Sequence, residues 1–179
     1  MNTARPRAPV IRPPRAGDAE ALLRFYRGLS DATVHFYEPY TQPTLETMRE
    51  VVARAIAGRD LALVLEAPGG DIVGHAFLSE VGAPEPTLGI GLADAWQNRG
   101  YGPRLMGRLL AQADARPGVQ AVLLTVNKQN ARALKMYLRF GFAIDGECDH
   151  RAPDDSYRMR RRRPRSVAPP INGDGHRRL

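Results

Sequence analysis

The chain has 179 residues, 43% of them hydrophobic, which is ordinary for a globular protein and long enough for one domain with a sizeable core. A single cysteine, Cys148, excludes an internal disulfide and a cysteine zinc site, and the four histidines (His35, His75, His150 and His176) show no metal-ligand spacing. The formal charge of +7 would point to nucleic acid if it were spread evenly, but residues 161–179 hold six arginines against one aspartate, so most of it sits at the C-terminal end.

No apolar run approaches the roughly 18 residues that cross a membrane. The N-terminal "MNTARPRAPVIRPPR" is rich in Arg but lacks the apolar stretch of a secretory signal. These features point to a cytoplasmic protein with no membrane partner. Residues 1–9 and 164–179 are rich in Pro, Gly and Arg without apolar periodicity, which predicts a disordered N-terminal segment and a disordered basic tail around a domain at 10–163. Such a tail would make no more than weak, salt-dependent contacts with nucleic acid.

In chain order, "VIRPP" is a short strand and "GDAEALLRFYRGLS" a helix, with Asp18 as N-cap and Leu22, Leu23, Tyr26 and Leu29 at helical spacing. "PTLETMREVVARAIAG" is a second helix, capped by Thr44 and stopped near Gly58, with Met48, Val52 and Ile56 on one face. "LALVLEAPGGDIVGHAFLSEV" reads as a hairpin turning at "APGGD", and "TLGIGLAD" as the next strand. Then come the helix "GPRLMGRLLAQADA", with Leu105, Met106, Leu109 and Leu110 inward, and the buried strand "AVLLTV". The helix "NARALKMYLRFG" ends at Gly141, and "FAIDGECDHR" and "SYRMRR" are late strands. The order β-α-α-β-β-β-α-β-α-β-β predicts an α/β fold with a mixed sheet and helices packed on it.

One stretch stands out, "WQNRGYGPRLMGRLL". Two glycines around Tyr101 allow a tight turn, and Pro103 suits the first helical position. The result would be an open helix N-terminus beside Arg99, a place for a phosphate. A P-loop is excluded because no Gly-Lys-Ser/Thr follows, and a dinucleotide fingerprint because Leu105 stands where the third glycine belongs.

Two motifs in register, about thirty residues apart, carry a resemblance. Gln97, Gly100 and Gly102 match the Gln/Arg-x-x-Gly-x-Gly/Ala loop of the GNAT superfamily of acetyl-CoA-dependent N-acyltransferases. Asn130, Ala133, Tyr137, Gly141 and Phe142 match its Asn-x-x-Ala-x-x-x-Tyr-x-x-x-Gly-Phe segment. The chain thus resembles that superfamily from about Val10 to Arg160. The resemblance implies a mostly antiparallel central sheet splayed at its middle strands and flanked by helices. It also implies acetyl-CoA as co-substrate, no metal, and acetyl transfer to a primary amine by direct attack through a tetrahedral intermediate. A homodimer is left open.

Carried onto this sequence, the resemblance implies that the strand opens at Leu92 and that its backbone, with Ala93 and Asp94, pairs with the pantetheine arm. The N–H of Leu92 would polarise the thioester carbonyl. The backbone of Gln97, Asn98, Arg99, Gly100, Tyr101 and Gly102 would cradle the pyrophosphate, with the side chains of Arg99 and Arg104 adding charge. Asn130 would hydrogen-bond the pantetheine, and the same residue reads equally as a helix N-cap. Tyr137 would protonate the departing thiolate, since a phenol with pKa near about 10 keeps its proton at neutral pH. On its residues alone, Tyr137 between Leu134 and Leu138 also reads as a half-buried core tyrosine.

The general base is where the sequence departs from the pattern. Many members carry Glu where Thr87 stands here. Glu85, two residues earlier, and His75 on the hairpin are the candidates for a base acting through water, while their residues also fit a solvated loop acid and a packed strand position. Freeing a lysine amine at neutral pH costs about 4 kcal/mol, and an α-amine well under about 1 kcal/mol, so a site without a strong base leans to the α-amine. The acceptor pocket falls to "LSDATVHFYEPYTQP", where His35, Phe36, Tyr37, Glu38 and Tyr40 either line a cleft or close the core. Two readings compete with direct transfer. In one, Cys148, with His150 two residues on, carries the acyl group. In the other, the domain senses acyl-CoA as a binding module, a reading favoured by the missing Glu; thiol release with a panel of amines separates it from an enzyme.

Overall fold

The computed structural model describes residues 8–147 and 155–164. Most of the two expected disordered ends, and with them Cys148 and His150, lie outside the described residues.

Strand β1 (Val10–Arg12) leads into helices α1 (Ala19–Arg27), α2 (Asp31–Val34) and α3 (Leu45–Ile56). Strands β2 (Leu61–Glu66), β3 (Ile72–Ser79) and β4 (Thr87–Leu92) follow, then α4 (Tyr101–Asp114), β5 (Ala121–Asn127) and α5 (Ala131–Arg139). Strands β6 (Ala143–Glu147) and β7 (Ser156–Arg162) close the order. The elements match those expected except for α2, a four-residue helix inside what reads as a loop; Ser30 caps it by accepting from the N–H of Thr33 at 3.3 Å.

The seven strands form one sheet in the order β1-β2-β3-β4-β5-β7-β6. Every neighbouring pair is antiparallel except β4 and β5, which α4 joins by a crossover and which are therefore parallel. Two apolar clusters lie on opposite faces. Leu22, Phe25 and Tyr26 of α1 and Met48 and Val52 of α3 cover one face. Leu105, Met106, Leu109 and Leu110 of α4, with Tyr137 of α5, cover the other.

Several local expectations give way to tertiary contacts. Asp18 precedes α1, yet its side chain does not cap that helix: it accepts from the N–H of Arg15 at 2.6 Å and from the Arg12 guanidinium at 2.6 and 2.9 Å. Ile56, the last residue of α3, is 58% exposed, so the buried stripe of that helix stops at Val52. The run of arginines is partly structural. Arg161 in β7 grips the carboxylate of Asp114 through two bonds of 2.7 and 2.8 Å and donates to the carbonyl of Phe140 at 3.0 Å. Basic residues from 161 onward are thus not all tail.

Candidate active site

The parallel pair is the weak seam of the sheet. β4 and β5 are paired only at Thr87 and Leu123, next to a bond of 3.0 Å from the N–H of Leu123 to the carbonyl of Pro86. Towards Leu92 the strands part. The N–H of Ala93 reaches back to the carbonyl of Val73 at 2.9 Å, so the odd residues at the end of β4 face β3. The alternation of an antiparallel ladder then turns the N–H and C=O groups of Ile90 and Leu92 toward the opening, while Leu88 lies at the paired end of the seam. The side-chain amide of Gln97 occupies the carbonyl of Leu92 at 3.1 Å, and the N–H of Leu92 has no acceptor among the described residues. The opening is a cleft of about 1200 Å3 lined by β4, α2, α5 and the loop before α4.

That loop makes the second set of open donors. Asn98 and Gly100 have φ of 59° and 79°, and these two left-handed residues curl the backbone into a concavity of N–H groups. Among the described residues, nothing accepts from the N–H groups of Asn98, Arg99, Gly100, Tyr101 or Gly102. The N–H of Gln97, by contrast, is engaged, donating to the carbonyl of Asp94 at 3.2 Å. Helix α4 starts at Tyr101, which makes Gly102 its second residue and Pro103 its third rather than its first. A Cβ on Gly102 would stand 3.6 Å from the sulfur of Met136 and 3.7 Å from Leu92, in the gap between loop and cleft. Arg99 and Arg104 lie over the rings of Trp96 and Tyr101 at 5.7 and 5.6 Å, and neither lines the cleft.

Asn130 caps α5, its Oδ1 accepting from the N–H of Ala133 at 3.1 Å, and it also lines the cleft. Tyr137, two turns further, is buried with an edge contact to Phe142 (centroids 5.8 Å), and its hydroxyl bonds to no described residue. Burial pushes its pKa up to about 12. Leu138, expected to flank it, is 51% exposed.

A belt of polar side chains ties the walls together, and the sequence gives no warning of it. Asp94 accepts from the hydroxyls of Ser30 at 2.6 Å and Thr33 at 2.8 Å, bonds that hold its carboxyl below the usual range. Gln97 donates to the Thr33 hydroxyl at 3.0 Å and accepts from Arg132 at 2.7 Å, and Arg132 also donates to Asn98 at 2.8 Å. Arg132 is a site residue that the sequence reading missed. The available signal was spacing: Arg132, Lys135 and Arg139 recur along one face of α5, and all three line the cleft.

The two candidate bases stay out of this group. Glu85 lies beyond the closed end of the seam, in an ion pair of 2.6 Å with Arg160 of β7, and does not line the cleft. His75 is fully buried, and its Nδ1 bonds the hydroxyl of Tyr26 at 2.7 Å while Nε2 has no partner. Burial lowers its pKa to about 4, so it is neutral and a poor proton acceptor. Of the expected pocket residues, Phe36, Tyr37 and Glu38 line the cleft, whereas Tyr40 packs edge-on against Tyr26. Among the described residues no cluster could hold a metal, and no helix is long and apolar enough to cross a membrane. The donors fit a diphosphate at the loop and an extended chain of amides along β4, with the space left by Gly102 joining them.

Comparison with known proteins meets this geometry. The family model described as an acetyltransferase (GNAT) domain matches residues 10–143. L-amino acid N-acetyltransferase AaaT of Escherichia coli (strain K12) is 35% identical over 81 residues, 43% of this chain and 50% of that protein. The chain thus spans about half the length of the curated relative it matches. Three solved structures share the fold. Ribosomal-protein-S5-alanine acetyltransferase from Vibrio fischeri is 14% identical, with TM-score 0.75, covering 88% of this chain and 94% of that one. PaiA N-acetyltransferase from Thermoplasma acidophilum, in complex with coenzyme A, is 18% identical with TM-score 0.69, covering 87% and 99%. Spermidine N-acetyltransferase from Vibrio cholerae, in complex with CoA and spermine, is 19% identical with TM-score 0.68, covering 87% and 95%.

Proposed function

We propose that this chain, which belongs to the GNAT acetyltransferase family, moves an acetyl group from acetyl-CoA to a primary amine by direct attack. The observation that carries this reading is the open edge of β4 running from the seam to the loop of free N–H groups at Asn98–Gly102. A thioester bound there supplies an electrophilic carbonyl carbon, and every other requirement falls to the chain's own residues. The backbone of Ile90 and Leu92 holds the pantetheine as an added strand would, together with Asn130 and with Ala93 and Asp94 closing the strand end. The N–H of Leu92 donates to the carbonyl oxygen as negative charge gathers on it. The nest at Asn98, Arg99, Gly100, Tyr101 and Gly102 holds the diphosphate, with Arg132 and Lys135 beside it and Arg99 and Arg104 swinging from their rings to add charge. The free amine nitrogen bonds to the carbonyl carbon and sheds one proton to solvent, and as the C–S bond breaks the hydroxyl of Tyr137 gives its proton to the sulfur and takes one back from solvent.

No carboxylate of β4 removes the amine proton in this scheme, since Thr87 holds that position and Glu85 is paired with Arg160. The acceptor therefore arrives already able to lose its proton near neutral pH, as an α-amine does. That same gap favours a second reading, an acyl-CoA-binding domain without turnover. The test is thiol release from acetyl-CoA across a panel of amines. Amine-dependent release supports the enzyme; binding of acetyl-CoA with no release from any amine supports the binding module.

A further inference from the structure

We propose that the acceptor side of the cleft takes an α-amine on an apolar, ring-bearing residue whose carboxyl is masked as an amide, and that Glu38 holds its ammonium; this rests on the acetyl-transfer reading above. Two glycines in β4, Gly89 and Gly91, shape this wall. A Cβ on Gly89 would stand 2.4 Å from the ring of Phe77, and one on Gly91 would stand 2.1 Å from the ring of Tyr37. Only glycine lets both rings lie directly against the strand, so the glycines of "TLGIGL" are a space requirement of the acceptor wall. Phe77 and Tyr37 lie on the face covered by α1 and α3, opposite α4 and α5. Phe36, 42% exposed, adds a third aromatic at the cleft. A free large apolar side chain beside a cleft is a surface waiting for an apolar partner.

Charge sets the second half of the specificity. The cations that line the cleft, Arg132, Lys135 and Arg139, all sit on α5, and the fork of Arg132 is engaged by Gln97 and Asn98. Two carboxylates line the cleft: Asp94 is engaged by the hydroxyls of Ser30 and Thr33, whereas Glu38, next to Phe36 and Tyr37 in the chain, is exposed and forms no ion pair with a described residue. An ammonium finds a counter-ion there. A free amino acid brings a carboxylate to a wall that offers a like charge and no cation, a built-in penalty against it. The absence of a strand carboxylate adds the preference for an amine of low pKa, which an amide-masked α-amine has and a lysine side chain lacks.

The experiment measures thiol release with L-phenylalaninamide, L-phenylalanine and L-alaninamide, expressing kcat/KM per free-base amine to remove differences in intrinsic ionisation. The expected result is about tenfold or more in favour of phenylalaninamide over each of the others. Glu38→Gln should lower the rate with phenylalaninamide and narrow its gap to phenylalanine, a change that loss of packing alone would not produce. Equal or faster turnover of phenylalanine, or an unchanged gap in the folded variant, overturns the inference. Thiol release only with amines outside this set overturns the inference and leaves acetyl transfer standing; no release from any amine overturns both.

Discussion

At neutral pH the hydroxyl of Tyr137 keeps its proton, because burial pushes its pKa up to about 12, and it bonds to no described residue. A protonated, unengaged phenol inside the cleft is what a departing thiolate needs. Tyr137→Phe keeps the ring against Phe142, so acetyl-CoA affinity should stay within about twofold while turnover falls by about 10². Binding by calorimetry and turnover by thiol release on the same variant check this; equal losses in both would make the residue a packing group. His75 supplies a second prediction at this scale, on stability. Its pKa in the fold is about 4, while in the unfolded chain it takes a proton near 6.5. Between those values the unfolded state binds more protons, so its contribution is complete above pH 6.5 and is lost as the pH falls toward 4. The loss approaches about 1.4 kcal/mol per pH unit within that window. His75→Leu removes the titration, and urea midpoints should then fall less steeply over the same pH range. Residues whose roles are local were legible in sequence, as the caps Thr44 and Asn130 were. Asp18 stands at the N-cap position of α1 as its sequence predicts, but Arg12, six residues back, and the N–H of Arg15 claim its carboxylate, a tertiary contact that no local pattern reports.

Among the elements, β4 does most to set the site, because one edge and one face of it serve different ends. Its edge toward β5 opens beyond Thr87, and its face toward α1 and α3 is cleared by Gly89 and Gly91 for two rings. Gly91→Ala puts a methyl into the ring of Tyr37, which must move. The expected cost is about 1–3 kcal/mol of stability. Acceptor KM should rise several-fold while acetyl-CoA affinity holds, and denaturation together with steady-state kinetics reads both. Element existence was legible from periodicity, since β4 alternates and α4 repeats its leucines at helical spacing. Helix α2 was not, because four residues are too few to show a period, and only Ser30 ahead of Thr33 hinted at it. The belt from Ser30 through Asp94, Thr33 and Gln97 to Arg132 joins residues 34 to 64 positions apart, and no local pattern reports such contacts.

For the whole molecule, the crossover from β4 through α4 to β5 creates the parallel seam, and the seam creates the cleft. The C-terminal strands close the sheet through ion pairs, Arg160 with Glu85 and Arg161 with Asp114, so the folded unit extends through β7. We propose residues 10–163 as the acetyltransferase domain. Deleting residues 165–179 should leave thiol release with a small amine within about twofold, because the deleted segment has little apolar surface to bury; activity lost in a still-folded truncation would contradict the placement. The central claim, that acetyl-CoA lies along β4 with its diphosphate in the loop, is tested most directly by calorimetric titration of acetyl-CoA into the protein and into Gly102→Val. A Cβ at this position meets its protein neighbours at ordinary contact distances, and circular dichroism checks that the variant is folded. The added side chain fills the space the ligand needs, and affinity should drop by about tenfold or more. Unchanged affinity in the folded variant would contradict the account.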